Sequence, residues 1–390
     1  MKFVNIQNIS SLLANYEKLH KTTSFNYYEI NDIYSGYIEI EYKKLNELKI
    51  FRTVLNKIMG HIVKNFFDDI TINSRLNLDI KVLEILKKNH NLPYQYGFTR
   101  PDLLVDENFN FKICEINSRF TLNGSLISYV IDQALNFNNY TISPLDFIFL
   151  SQKKIHIIKG QEHGYDINIF ANLCKQKGIN VVFHNPKKIS LNDFNENEII
   201  FLELHQKELI ELPEDIINKI INCRFCYNDL RTIFIGHDKR LLSLLSDRDF
   251  TKKYISAEEC EILTNFIIPT FTSNQLPLIK DEIFSAPKKW VFKPFGAGKG
   301  EGIIFGKDLN KDDLKQFISS KNVNNFAFQH FFKPFKLEML NRHHESENMN
   351  LVSMMQGFND QIFGFGFFRA SSADLVAVSR GGYIIPVKVI

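Results

Sequence analysis

Apolar residues recur at three- and four-residue spacing over residues 45–66 and 76–88, the period of an amphipathic helix, so residues 1–95 read as mostly helical. The pattern then changes. Residues 100–105 and 111–117, on either side of a short polar loop, read as the two strands of a hairpin. Helical spacing returns over 122–135, opened by Asn123 and Gly124. From about residue 151, apolar runs at 154–158, 179–183 and 199–204 alternate with helical stretches at 165–177 and 213–221, which predicts a small parallel α/β unit. A helical stretch at 240–254 precedes further strands at 290–295, 303–305, 326–332, 351–358, 362–368 and 383–390. A polar insert at 341–350, with the pair His343-His344, reads as solvated loop.

Parity gives the hairpin its chemistry. Side chains alternate faces along a strand, so Arg100 shares a face with Asp102, and Glu115 with Asn117. A four-residue loop at 107–110 sets Asp102 opposite Glu115 and Arg100 opposite Asn117 on one side of the sheet; an odd-length loop divides them. Two carboxylates, a carboxamide and a guanidinium then converge within about 5–6 Å. Hard oxygen donors of this kind suit Mg2+. Facing carboxylates also cost stability unless a cation neutralises them.

At 390 residues and 44% apolar content the chain has room for two or three packed units. The net charge of +3 comes with both signs interspersed, so no basic stripe points to nucleic acid. Five scattered cysteines suggest a reducing compartment, and Cys223-Arg-Phe-Cys226 lacks the second pair of ligands that zinc needs. No apolar run approaches membrane-spanning length and the N-terminus lacks a signal-peptide core, so a cytoplasmic protein is expected.

A second cluster lies near the other end. Gly296, Gly298, Gly300 and Gly302 fall within seven residues between two apolar strands. Lys299 is followed by glycine rather than Ser or Thr, which excludes a Walker A loop, but such a hairpin can offer backbone N–H groups to phosphates. The loop at 160–164 is not G-x-G-x-x-G, so dinucleotide binding is unsupported. Lys293 lies inside a strand, where a charge destabilises unless it meets a partner. Lys239 opens a helical stretch and reads equally as a surface residue.

Two lysines, a glycine-rich strand–loop–strand and a Glu-x-Asn strand are the parts of an ATP-grasp nucleotide site. Here the Glu115-Ile-Asn117 strand precedes the lysines. In that order the chain, from about residue 100 onward, resembles the circularly permuted ATP-grasp enzymes of the glutathionylspermidine synthetase-like group. The resemblance implies a mixed α+β and α/β chain with a permuted ATP-grasp fold. Its parts are a helical N-terminal region (1–95), a metal-binding hairpin and helix (96–150), a small parallel α/β substrate-side domain (151–230), and a part with lysines, lid and C-terminal sheet (231–390).

By the same resemblance, Arg100 and Arg369 hold the transferred phosphoryl group and Asp102, Glu115 and Asn117 ligate Mg2+. Lys239 and Lys293 bind ATP, while Gly296, Gly298, Lys299, Gly300, Glu301 and Gly302 form the lid. Gln329 falls where the adenine-contacting hinge is expected. The sequence after Asn117 departs from the group, so substrate identity does not carry over. Arg119 and Asn123 are candidate substrate residues by position, Arg119 being suited to a carboxylate and equally readable as a surface arginine. The implied reaction is ATP-dependent joining of a small carboxylate to an amine through an acyl phosphate, the substrates being an amino acid, a short peptide or a polyamine. Phosphate transfer to a hydroxyl, and a non-catalytic nucleotide-binding protein, are the other readings.

Overall fold

The computed structural model describes residues 2–5, 32–140, 144, 146, 154–162, 164–296, 298, 300–340 and 345–390; Lys299 and His343-His344 lie outside them. Strands β1 (Lys2–Asn5) and β2 (Gly36–Ile40) precede helices Tyr42–Lys64, Ile70–Leu76 and Ile80–Asn89. The expected helical region therefore holds over 42–89 and misses two strands. The five residues of β2 alternate buried and half-buried positions, too short a run to stand out from its surroundings. Helix Tyr42–Lys64 buries Leu48, Phe51, Leu55, Ile58, Met59 and Ile62, a stripe at helical spacing, and Phe51 packs on Phe266 with ring centroids 4.6 Å apart.

Next come β3 (Phe98–Val105), β4 (Phe111–Asn117) and helix Ser125–Leu135, which starts after Gly124 in a left-handed conformation (φ 98°). Strands β5 (Lys154–Lys159), β6 (Asn180–His184), β7 (Ile199–Glu203) and β8 (Phe225–Cys226) form an all-parallel sheet in the order β6-β5-β7-β8, as the alternation predicts. All five residues of β7 are buried, which is why it reads as an unbroken apolar run.

The expected helix at 240–254 is two short ones, Leu241–Leu245 and Arg248–Thr251. They are separated where the Asp247 side chain accepts from the N–H groups of Asp249 and Phe250 and starts the second. Strands β9 (Thr270–Phe271), β10 (Trp290–Pro294), β11 (Ile304–Phe305) and β12 (Phe326–His330) make an antiparallel sheet, ordered β11-β10-β12-β9. It has its own core around Trp290, Phe292 and Phe328.

The chain closes with β13 (Lys336–Leu340), β14 (Ser346–Met354), β15 (Gln356–Phe358), β16 (Gln361–Gly364), β17 (Phe367–Ser371) and β18 (Tyr383–Val389). Residues 346–350 of the expected polar insert belong to β14. They pair with β13, where Lys336, Glu338 and Leu340 are exposed while Met339, like Met349 on β14, is buried in the main core, an alternation too short to stand out in the sequence. The strands expected at 351–358 and 362–368 are each broken, the second at Gly366 (φ 65°). A Cβ at Gly366 would come within 2.8 Å of Met354 Cγ, so only glycine admits this bend.

These strands form a ten-stranded sheet in the order β1-β2-β18-β17-β14-β3-β15-β16, with β13 on β14 and β4 on β3. Strand β3 is thus interior, with β17 one strand away across β14. The fully buried Arg52 fixes its start, donating to the carbonyls of Thr99 (3.3 Å) and Gly97 (3.4 Å) and, through Nε, to that of Asn359 (2.6 Å).

Candidate functional site

The β3–β4 hairpin pairs Arg100 with Asn117 and Asp102 with Glu115. That is the expected register, reached by an unexpected route. The turn has a three-residue tip, 107–109, with Phe109 left-handed (φ 58°) and the N–H of Asp106 donating to the carbonyl of Asn110 at 3.1 Å. A regular ladder from that odd tip would set Asp102 against Cys114. Instead the register shifts by one between Asp102 and Leu103, so Cys114 bulges out and Glu115 returns to the face of Asp102. The carbonyl at the bulge is not idle: Lys293 Nζ on β10 donates to it at 3.1 Å.

The four head groups meet. Asn117 Nδ2 lies 3.2 Å from Asp102 Oδ2 and 3.3 Å from Glu115 Oε1. Arg100 Nε donates to Asp102 Oδ1 at 2.9 Å, and Arg369 Nη2 on β17 stands 2.7 Å from Asp102 Oδ2. Lys239 Nζ lies 3.6 Å from Glu115 Oε2. Asp102 is 2% exposed and Lys239 6%, so the expectation that Lys239 is an ordinary surface residue does not hold. Burial pushes the Glu115 carboxyl up, but Lys239, then Lys293 and Arg369, outweigh it and hold the group well below the usual carboxylate range. His237 is kept neutral by burial and by Arg119 and Lys239 beside it.

A cleft of about 450 Å³ opens over this cluster. Arg100, Asp102, Glu115, Asn117 and Arg369 of the ten-stranded sheet line it, together with Lys293 and Gln329 of the β10–β12 pair and Gly298 and Gly300 of the glycine-rich hairpin. Gln329 Nε2 donates to Thr270 Oγ1 at 3.0 Å. Arg119 is 8% exposed, not a surface arginine: its guanidinium stacks 4.9 Å from the Phe120 ring centroid and lies against the lid. A Cβ at Gly298 would come within 3.0 Å of Arg119 Nη2. Asn123 lines the cleft as a brace, since its carbonyl accepts from Arg100 Nη1 at 3.1 Å and its carboxamide donates to the carbonyl of Asn117 at 3.3 Å. Gly296 and Gly302 lie in the same hairpin, as does the exposed Glu301, whose N–H donates to the carbonyl of Gly298 at 3.0 Å.

The residues present fit a metal bound to a polyphosphate. Two carboxylates offer hard oxygens at one point beside the Asn117 carboxamide, which faces them through Nδ2 and would turn its oxygen to a metal, while four cations (Arg100, Arg369, Lys239 and Lys293) surround two anions, leaving positive charge for an anionic ligand. Arg369 Nε and Arg119 Nε are buried with no hydrogen-bond partner among the described residues, a costly state that an anion in the cleft would relieve. Among the described residues no three His, Cys, Asp or Glu side chains gather as a metal cluster, Cys223 and Cys226 included. Burial pushes the Cys223 thiol up to about 12.

Sequence patterns pointed to Arg119 and Asn123 in the segment after β4, but not to Thr121 there, nor to Glu203 and His237. The N–H of Thr121 donates to Glu203 Oε1 at 2.9 Å, that of Ser118 to His237 Nδ1 at 3.4 Å, and Thr121, Glu203 and His237 all line the cleft. Glu203 did carry one signal, an acid at the end of an otherwise apolar strand.

Residues 51–235, just under half of the chain, match the family model of the AnkG N-terminal domain. The chain is 21% identical over 423 aligned positions to the "ATP-grasp enzyme ankG" of Aspergillus thermomutatus, covering 88% of this chain and 86% of that protein. A solved structure described as a gamma-glutamylcysteine synthetase from Methylobacillus flagellatus KT covers 86% of this chain and 88% of its own, at 12% identity. Its TM-score of 0.36 is too low to bear on the fold.

Proposed function

We propose that this protein is an ATP-grasp ligase of the permuted type that joins a small carboxylate to an amine, consuming ATP and releasing ADP and phosphate. The observation that carries the reading is the meeting of Asp102, Glu115 and Asn117 within hydrogen-bonding distance, ringed by Arg100, Arg369, Lys239 and Lys293 under a glycine-rich hairpin. The order of these parts along the chain, and the similarity to an ATP-grasp enzyme over most of its length, support it.

In this reading Asp102, Glu115 and Asn117 hold Mg2+, which when bound neutralises charge on the terminal phosphates. Lys239 and Lys293 hold the phosphates, and Gln329 lies beside the base. Arg100 and Arg369 clamp the phosphoryl group as a substrate carboxylate oxygen attacks it and ADP leaves. The acyl phosphate formed is then attacked at carbon by the neutral amine, and phosphate departs. The 296–302 hairpin excludes water, which would otherwise hydrolyse the activated acyl group.

The test is ADP release by the full chain with Mg2+ over a panel of carboxylates and amines, with hydroxylamine as trapping nucleophile. A hydroxamate formed with an active carboxylate supports the ligase reading. ADP release without hydroxamate, with phosphate found on a hydroxyl, replaces it with a phosphotransferase. No nucleotide turnover, together with intact Mg-ATP binding, leaves a nucleotide-binding protein.

A further inference from the structure

A second part of the cleft is lined by acids. It lies against the small parallel sheet. Strand β5 is central: the chain leaves it toward β6 on one side and returns to β7 on the other, so the strand order reverses between β5 and β7. Outside the carboxyl ends of strands at such a point lies the usual ligand crevice of an open parallel sheet. Glu162, in the loop after β5, Asp166, in the first turn of helix Tyr165–Gln176, and Glu203, the last residue of β7, line the cleft there.

Not all three acids are available. The two Asp166 carboxylate oxygens accept from the N–H groups of Gly124 and Ile127, capping helix Ser125–Leu135, so Asp166 is committed to the fold. Glu203, 2% exposed, accepts from the N–H of Thr121 through Oε1. Thr121 is 1% exposed, and its hydroxyl has no hydrogen-bond partner among the described residues. Cations stand close to these acids: Lys159 acts electrostatically on Glu203, and Arg119 on Glu162. Lys159 Nζ is turned to the backbone carbonyl of Glu162 (2.8 Å), and His205 Nε2 stands 3.5 Å from Glu162 Oε2. Burial raises the Glu203 carboxyl well above the usual range, with Asp166 and Glu162 pushing the same way against the Thr121 N–H and Lys159, which pull it down. A buried acid beside an unpartnered hydroxyl is a costly arrangement that a small cation would relieve.

We propose that this recess is the subsite for a protonated amino group of the substrate, held by Glu203 and Glu162 with the Thr121 hydroxyl as third contact, while Arg119, at the seam with the metal-binding face, takes a carboxylate of the same molecule. The substrate class is therefore a small amino acid or a molecule ending in one. The proposal rests on the ligase reading for its setting. Its physical core is independent of nucleotide: a ligand lacking the ammonium leaves the buried acid unpaired and loses affinity.

The test is titration calorimetry on the full chain with the standard L-amino acids, with and without Mg2+ and a non-hydrolysable ATP analogue. Propionate, succinate and glutarate serve as the deaminated partners of alanine, aspartate and glutamate. The expected result is binding of at least one amino acid whose deaminated partner binds at least tenfold more weakly. Glu162→Gln, on an accessible loop, and Glu203→Gln, if it folds, should each weaken that binding tenfold or more, with affinity for the ATP analogue unchanged within twofold. Equal binding of the deaminated partner, binding within twofold in Glu162→Gln, or no amino-acid binding beside normal ATP-analogue binding overturns the subsite. Amino-selective binding in a protein that does not bind the ATP analogue would retain the subsite and remove the ligase reading.

Discussion

Lys293 Nζ donates to the backbone carbonyl of Cys114 at 3.1 Å, so the residue that interrupts the β3–β4 ladder also ties that hairpin to the strand leading into the glycine-rich loop. A single hydrogen bond of this kind contributes about 1–3 kcal/mol, because its donor is charged. Lys293→Met keeps the apolar stem and removes the charge. It should lower thermal stability only slightly and weaken Mg-ATP binding about 10-fold or more. Lys293→Arg should not rescue, since a planar fork cannot take the place of a compact ammonium in a 9%-exposed position. Calorimetric titration with Mg-ATP checks both; unchanged affinity in Lys293→Met removes the lysine from the nucleotide site.

Asp102 stands between two guanidiniums, with Arg100 on its own strand and Arg369 on β17. Asp102→Asn leaves both cations facing a neutral, buried carboxamide. Breaking a buried pair in this way costs about 3–5 kcal/mol. The variant should unfold at clearly lower urea concentration, regain part of that loss in added phosphate, and release ADP at least about 100-fold more slowly. Glu115→Gln separates the two effects. Its side chain is 26% exposed, so the same loss of turnover should come with a smaller loss of stability. Near-normal rates in both variants would discard the metal-ligand assignment.

The hairpin also shows how far the sequence could be read. Strand parity and an assumed four-residue loop placed Arg100, Asp102, Glu115 and Asn117 on one face, and they are there. The four-residue loop behind that expectation is instead a three-residue tip plus a bulge, two one-residue departures that cancel at the site. A bulge leaves little trace in composition, because the extra residue needs no special side chain. The parallel α/β unit was legible because buried parallel strands such as Ile199–Glu203 are unbroken apolar runs. β2 and the β13–β14 edge were not, since such short alternating runs lack that contrast. From the sequence Arg119 and Lys239 could equally be surface residues, because burial of a long cation depends on what packs over it, here Gly298 for Arg119, more than 170 residues away in the chain.

Asp166 gives the fold a pH dependence of known sign. Burial pushes its carboxyl up to about 6, against the backbone N–H groups of Ile127 and Gly124, which pull it down. Its ordinary value is 3.8. A raised folded-state pKa means the protonated form is favoured in the native state. This contribution is therefore complete below pH 3.8 and is lost as pH rises through about 6. The shift of roughly two units corresponds to about 3 kcal/mol. Asp166→Asn cannot titrate and gives up one acceptor, so it should start less stable than the native protein near pH 4. It should then gain on the native protein by about that amount by pH 7.5. Urea unfolding of both proteins at the two pH values tests this; parallel stability curves would show that the capping carboxyl is ionised throughout.

Gly302 sits at φ 69°, and a Cβ there would come within 2.9 Å of Pro294 Cγ, at the point where β10 enters the loop. Alanine at this position is strained by about 1–2 kcal/mol in the left-handed region before the contact with proline is counted. The hairpin is at the rim of its sheet, so the strain should be relieved by opening the loop and leave the core around Trp290 and Phe292 intact. Gly302→Ala should then keep its melting temperature within a few degrees while admitting water to the cleft. With a carboxylate and amine that the native protein couples, the variant should release more ADP per amide formed, by about 10-fold, because the activated acyl group is hydrolysed in competition. Measuring ADP and amide in the same reaction gives that ratio directly. A variant that slows both products equally would show that the loop binds nucleotide without shielding the intermediate.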